Sequence, residues 1–170
     1  MASFMKKVED NVVGRLPFES EGFGQFVSYD NTVGLAAVCD PSQTPRRKTS
    51  GAAGLDMCAS EAAVVPSRGS CVVGTGVCLQ IPRGYFGKIE GRSGLGFRHR
   101  VMPFGGVIDS DYRGEIKVLL LNHSDTAYGV GKGDAMAQLV IHKHENPTVF
   151  RVKTLDDTAR GTNGFGSTGL

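Results

Sequence analysis

The chain has 170 residues and a formal net charge of +2. That is room for one domain with a real core and too little charge to argue for nucleic acid or an anionic membrane as partner. No apolar run reaches the roughly 18 residues of a spanning helix, and Met1 to Lys7 lacks the apolar stretch of a secretory signal, so an intracellular protein, cytoplasmic or nuclear, is expected. Glycine, at 24 residues, is about twice its ordinary share, which suits many short strands and turns, or backbone lying against a ligand. Cys39, Cys58, Cys71 and Cys78 show no C-x-x-C spacing, and three sit in apolar runs, which predicts buried free thiols rather than a metal site or disulfide framework.

Residues 1–30 mix charge, Gly and scattered Phe without a period and read as an irregular N-terminal extension. Val33 to Cys39 predicts a first strand ended by Asp40-Pro41. The loop Pro45 to Gly51 carries Arg46, Arg47 and Lys48, a solvated surface or a weak nuclear-targeting patch. Ala52 to Ala59 predicts a strand with one carboxylate, Asp56; a lone Asp there often marks a strand-end turn. Val64 to Pro66 and Gly69 to Ile81 follow as strands, the second broken by Gly74 and Gly76. Gly84 to Glu90 is another strand. It runs into Gly91-Arg92-Ser93-Gly94-Leu95-Gly96-Phe97-Arg98, where glycines leave backbone N–H groups open beside Arg92 and the Ser93 hydroxyl, an anion cradle. A serine-hydrolase elbow would need Gly where Leu95 stands, and no Gly-Lys-Ser/Thr follows to make a Walker loop.

Gly105 to Ile116 lies between the apolar runs Val101–Phe104 and Ile116–Leu121. Val, Ile and Tyr favour a pleated backbone and Gly and Asp punctuate it, so the stretch predicts a β-hairpin with an acidic tip. Its paired glycines leave backbone open to a flat ligand, and Asp109 follows two β-branched residues; the same residues also suit a plain solvated turn. Ile116 to Asn122, nearly all apolar, predicts a strand buried on both faces. Tyr128 to Asp134 reads as a turn leading into a strand from Ala135 to His142. Gln138, in the middle of that strand, is either a satisfied core amide or a donor to a ligand oxygen. His142 and His144 share a face, but two His without a third ligand make a weak metal case. Asp156 to Leu170 cannot build a core and reads as a flexible tail. Within it Gly164 to Gly169 fits G-x-G-x-x-G, but no strand precedes it and no helix follows, so a dinucleotide fold is excluded. What remains is a mobile phosphate-binding arm with Arg160 as fixed charge and Phe165 to stack on a base. Ordering such an arm costs about 1 kcal/mol or more per residue, so it closes only over a ligand offering several contacts.

Five motifs now stand in order: AAGLDMCA with Asp56, GRSGLG, GGVIDSDYRGEI, GDAMAQLV and RGTNGFGSTG. Together they closely resemble the five motifs of the trimeric deoxyuridine triphosphatase (dUTPase) family, over roughly residues 33–170. The resemblance implies an all-β fold, a distorted jelly-roll β-barrel with a flexible C-terminal arm: an extension over 1–30, a barrel over 31–152 and a mobile arm over 153–170. It implies a homotrimer with active sites at subunit interfaces, and Mg2+-assisted hydrolysis of dUTP to dUMP and pyrophosphate at the α-phosphate, with no nucleic-acid or membrane partner. Asp109 would orient and deprotonate the attacking water and contact the sugar 3′-OH. Tyr112 would pack under the deoxyribose, and the hairpin backbone from Gly105 and Gly106 through Val107 and Ile108 would read the uracil edge. Arg92, Ser93 and Gly94 would hold phosphates and Gln138 would contact the α-phosphate. Asp56 would hold water in the magnesium shell. In the tail, Phe165 would close over the uracil with Gly164 and Gly166 beside it, and Arg160, Ser167 and Thr168 would meet the outer phosphates.

The chemistry fits these roles. A triphosphate brings about four negative charges, which fixed Arg forks and backbone N–H groups suit, and magnesium prefers phosphate oxygens and waters to a protein cage. There are departures: Ala135 stands where the family usually has Arg, Asn163 where Gly is common, and Val101–Phe104 offers no amide to the hairpin. This loose wording suggests a viral source. A dCTP deaminase on the same fold would need a Glu about ten residues after Asp109, where Leu119 stands. A binding protein that had lost the chemistry would show erosion at Asp109, Tyr112 or the tail, and none is visible.

Overall fold

The structure, a computed structural model, describes residues 34–164. The N-terminal extension over 1–30 and Phe165, Gly166, Ser167 and Thr168 lie outside the described residues. The elements are β1 (Ala36–Val38), a 3-10 turn (Pro41–Gln43), β2 (Leu55–Cys58), β3 (Ala63–Val65), β4 (Ser70–Gln80), β5 (Tyr85–Glu90), α1 (Ser93–His99), β6 (Val101–Phe104), β7 (Val107–Ile108), β8 (Glu115–Asn122), β9 (Tyr128–Val130) and β10 (Ala135–Lys143). One four-stranded sheet runs β1-β4-β8-β6, a second β2-β10-β5-β7, and β3 pairs with β9 alone. The pairings are antiparallel. Their inward side chains meet in a single cluster, Val73, Val118 and Leu120 from the first sheet with Met57, Ile89 and Leu139 from the second, as the expected jelly roll requires.

Alternation drives this arrangement. Val73, Thr75, Val77 and Leu79 of β4 all point into the core. The break expected from sequence at Gly74 and Gly76 does not occur; β4 runs through both, and they bend it. The register with β8 shifts between Gly74↔Lys117 and Cys78↔Glu115, a bulge, and Gly76 takes φ +66 there. Side chains replace the lost ladder: the buried Thr75 hydroxyl donates to the Ile116 carbonyl at 2.6 Å, and the Gly76 N–H donates to the Glu115 carboxylate at 2.9 Å.

Four further expectations change. Gly91 to Arg98 is not open loop but mostly the short helix α1. The Tyr128 to Asp134 turn begins with β9, in register with β3 from Val65↔Tyr128 to Ala63↔Val130. β8 is not buried on both faces: Ile116, Val118, Leu120 and Asn122 face the core, while Leu119 and Leu121 are only half-buried. On that outer face Phe104 and Val72 flank Leu119, and Met102 flanks Leu121. They form an apolar band, with Val72, Phe104 and Met102 all exposed in the single chain. The four cysteines are free thiols as expected but half-buried rather than buried. Beyond Lys143 the chain to residue 164 forms no helix or strand, and Val149, Phe150, Val152 and Leu155 are exposed.

Asn122 ends β8 and holds the turn that follows. Its amide donates to the Val65 and Thr126 carbonyls at 3.2 and 2.8 Å, and its oxygen accepts from the Ser124 N–H and hydroxyl at 2.9 and 2.7 Å. Buried polar groups stripped of partners cost about 1–3 kcal/mol each. Asn122→Leu, similar in size, is therefore expected to destabilise by about 3 kcal/mol or more. Thermal unfolding at matched chain concentration checks this, and an unchanged midpoint would refute it.

Candidate active site

Two glycines decide how the hairpin is displayed. Gly105 and Gly106 take φ +73 and +90, which sends the chain out of β6 and across to the second sheet. There β7 pairs with β5 through Gly87↔Ile108 and Lys88↔Val107. Gly106 O accepts from the Ile89 N–H at 2.8 Å, and a Cβ on Gly106 would lie 2.7 Å from the Ile89 Cβ. The chain then turns back through Asp109 to Gly114 into β8, with the Tyr112 N–H bonded to Asp109 O at 3.2 Å. The Tyr112 hydroxyl donates to the Glu115 carbonyl at 3.0 Å, which lays its ring over Gly114, where any side chain would collide with it. Asp109 is exposed, and its carboxylate has no hydrogen-bond or salt-bridge partner among the described residues.

The other predicted residues gather elsewhere. A cavity of about 490 Å³ is lined by Asp56, Arg92, Ser93, Gly94 and Gln138, together with Lys48, Arg98, His99, Tyr128, Asp134 and Ala135. Asp56 sits in β2, whose Asp56 N–H bonds the Arg46 carbonyl at 2.8 Å. Its carboxylate faces Arg92, Nε to Oδ1 at 3.2 Å and Nη2 to Oδ2 at 3.4 Å. Arg92 Nη1 donates to the Ala135 carbonyl at 2.7 Å. Ser93 and Gly94 open α1, where the first N–H groups of a helix have no intrahelical acceptor. Gln138 is paired across to Asp56 on one side and Glu90 on the other; its Nε2 donates to the Gly91 carbonyl at 2.8 Å. A Cβ on Gly54 would run into that amide.

The chain thus brings Asp56, Arg92, Ser93, Gly94 and Gln138 together. It leaves Gly105, Gly106, Val107, Ile108, Asp109 and Tyr112 outside the cavity, on the hairpin. Arg160 and Gly164 are also outside it: Arg160 Nε donates to the Asn163 carbonyl at 2.9 Å, folding the described part of the tail on itself. Lys48, Arg98, His99 and Tyr128 were not singled out from sequence. His99 and Tyr128 have ring centroids 4.7 Å apart. The spacing of Gly94 and Arg98 would have placed Arg98 here had the helix been recognised.

Among the described residues no three His, Cys, Asp or Glu side chains converge as a metal cage. Each Asp56 oxygen keeps a lone pair beyond its Arg92 contact, which fits a carboxylate that reaches a metal through bound water. His142 instead stacks on Phe86 and His144 meets the same ring edge-on, with centroids 5.3 and 5.9 Å away. Burial, with Asp56 adding to it, pushes the Cys58 thiol up from its ordinary value, so it is a poor nucleophile. No helix among the described residues is long and apolar enough to cross a membrane.

The chain is similar to known proteins over most of its length. The dUTPase family model matches residues 40–169. The deoxyuridine 5'-triphosphate nucleotidohydrolase of Paramecium bursaria Chlorella virus 1 is 45% identical over 131 residues, covering 77% of this chain and 93% of the relative. The enzyme of that name from Oryza sativa subsp. japonica is 44% identical over 126 residues, 74% of each chain. Among solved structures, the dUTPase of Staphylococcus bacteriophage 80alpha with dUPNHPP superposes with a TM-score of 0.75 at 27% identity, covering 82% of this chain and all of that one.

The crossing at Gly106 is testable by itself. Gly106→Ala combines a positive φ with a backbone-level clash and is expected to cost about 1–3 kcal/mol. The loss should be local, with β7 leaving β5. Amide hydrogen exchange at Ile89, whose N–H bonds Gly106 O, should accelerate, and unchanged protection there would refute the placement.

Proposed function

The chain belongs to the dUTPase family, and from that premise we propose that it hydrolyses dUTP to dUMP and pyrophosphate, removing a precursor of uracil in DNA and supplying dUMP. The observation that carries this reading is the split of the site. A cavity lined by Lys48, Arg92 and Arg98 together with backbone N–H groups suits a triphosphate, while a glycine-opened hairpin elsewhere presents backbone, an aromatic ring and a carboxylate to a base and sugar. One copy supplies the cavity and another the hairpin, which is the logic of a homotrimer with shared sites. The apolar band of Val72, Met102, Phe104, Leu119 and Leu121 supports association, since monomers rarely expose such a face. So does the unpaired chain after Lys143 with its exposed Val149, Phe150, Val152 and Leu155, a segment suited to lie against a neighbouring copy.

Within that site Asp109 holds the attacking water and takes its proton as the water adds to the α-phosphorus and pyrophosphate leaves. Its exposed carboxylate, unspent on any described partner, is available for this. Tyr112, its hydroxyl tethered to Glu115, offers a fixed ring face to the deoxyribose and leaves no room for a 2′-OH. The backbone of Gly105, Gly106, Val107 and Ile108 reads the uracil edge. Gln138 orients the α-phosphate with the Nε2 hydrogen not used on Gly91. Asp56 would hold magnesium through water, and the ion would supply neutralisation of phosphate charge and polarisation of the P–O bonds. The arm closes last, with Phe165 over the base between Gly164 and Gly166, and Arg160, Ser167 and Thr168 on the phosphates.

Two measurements test this. Given dUTP and magnesium, the protein should release pyrophosphate, with dTTP, dCTP and UTP far poorer substrates. Asp109→Asn should lose about 10²- to 10⁴-fold in kcat while still binding dUTP; absence of turnover in the unmodified protein would overturn the reading. Ending the chain at Asp157 removes no strand or helix of the described fold. Its thermal midpoint should stay put while kcat/KM falls by about tenfold or more, as expected when a closing segment is removed; full activity would exclude a role for the arm.

A further inference from the structure

Arg92 is a poor source of net charge for a triphosphate. Its Nε and Nη2 face the two Asp56 oxygens at 3.2 and 3.4 Å, and Nη1 is spent on the Ala135 carbonyl at 2.7 Å. The guanidinium is thus neutralised and its fork aimed at β2 and β10. The same cavity is lined by two other permanent cations, Lys48 and Arg98, and neither has a hydrogen-bond or salt-bridge partner among the described residues. Arg98 does not point away into solvent. It folds back along α1, so that a Cβ on Gly94 would lie 2.8 Å from its Nη2, the direction helical side chains take. Lys48 stands on the loop that leads into β2, and its charge is felt at Cys58 two residues from Asp56. The second carboxylate lining the cavity, Asp134, is turned to the Gly131 N–H at 2.8 Å and bonds neither cation.

We propose that Lys48 and Arg98 bind the β- and γ-phosphates, and that Arg92 is a positioning residue that fixes the cavity through Asp56 and Ala135. The inference rests on the dUTP-hydrolysing reading above. The terminal phosphates carry most of the charge of a triphosphate, and long cationic side chains without a protein partner lose no ion pair when they take it up. Their grip is made on dUTP and on pyrophosphate but not on dUMP, so it distinguishes substrate from the nucleoside product.

The experiment is a comparison of Lys48→Ala, Arg98→Ala and Arg98→Lys with the unmodified protein. Three quantities are read: the KM for dUTP, inhibition by pyrophosphate and competitive inhibition by dUMP. Both residues are exposed, so thermal midpoints should not move. Each Ala variant is expected to weaken dUTP and pyrophosphate by about tenfold, the scale of one charge-assisted hydrogen bond, while dUMP inhibition stays within about twofold. Arg98→Lys should recover part of the loss, and the KM of the Ala variants should depend less steeply on salt. Equal weakening of dUMP and dUTP, or no change in either, overturns the assignment. An unmodified protein that releases no pyrophosphate from dUTP sinks the hydrolase reading itself; normal turnover with unaffected variants sinks only this inference.

Discussion

The ion pair between Arg92 and Asp56 sets the geometry of the cavity. Arg92 stands where β5 gives way to α1, Asp56 lies in the middle of β2, and Ala135, whose carbonyl takes the third hydrogen bond, opens β10. One guanidinium therefore ties the start of the helix to two strands that are themselves paired. Both side chains are partly shielded, with side-chain exposures of 32% and 17%. Removing either partner would leave the other charge uncompensated, which costs more than the pair contributes over neutral residues. Gln138 sits directly beside Asp56 in β10, bonds Gly91 and leaves no space for a side chain at Gly54. A fixed floor follows from these contacts, and so does a fixed direction for the first turn of α1.

The hairpin is held by a different constraint. β6 and β8 pair in one sheet, yet β7 between them in sequence pairs in the other. Only a backbone free to take φ +73 and +90 at consecutive residues makes that crossing while lying against Ile89. The tip is thereby carried on two sheets at once, tied at Ile89, at Gly87 and at Glu115. Asp109 and Tyr112 are displayed there, outside the lining of their own chain's cavity. In the proposed reading the cavity and the hairpin would be two halves of a site completed by another copy. The exposed apolar band and the unpaired chain after Lys143 are the surfaces through which copies would meet.

Most strands were legible because inward and outward residues alternate, as in Val73, Thr75, Val77 and Leu79, and because Gly, Pro and Asp mark the ends. The failures share a cause, tertiary contacts overriding local preference. Gly94 and Gly96 make α1 a poor helix by propensity. It forms because Leu95 is buried, Arg98 and His99 lie in its last turn and Arg100 closes it in the left-handed region at φ 55. Tyr128-Gly129-Val130 reads as turn because of Gly129 and of Gly131 and Gly133 after it, yet it is held as a strand by β3. Gly74 and Gly76 signal interruption, whereas Thr75 and Glu115 replace the missing ladder bonds from a distance no local pattern reveals. The site was legible as motifs but not as partners. Nothing in the wording of GRSGLG indicates that its Arg is consumed by Asp56, and Lys48 in a basic loop looks like any solvated residue.

Fixed and unspent charge do different work here. A guanidinium locked to a carboxylate offers shape and little net attraction, so it treats one phosphate much as it treats three. Exposed cations without partners do the opposite, because their attraction grows with the charge of the ligand. A site whose floor is neutralised and whose rim is cationic therefore holds a triphosphate far better than a monophosphate. Under the proposed reading the arm would extend the same logic: ordering such a segment is costly, and a ligand that engaged base, sugar and terminal phosphates together would offset that cost. Once the bond between the α- and β-phosphates is cut, neither product spans those contacts. The floor would stay as it was, while rim and arm would lose the ligand proposed to hold them.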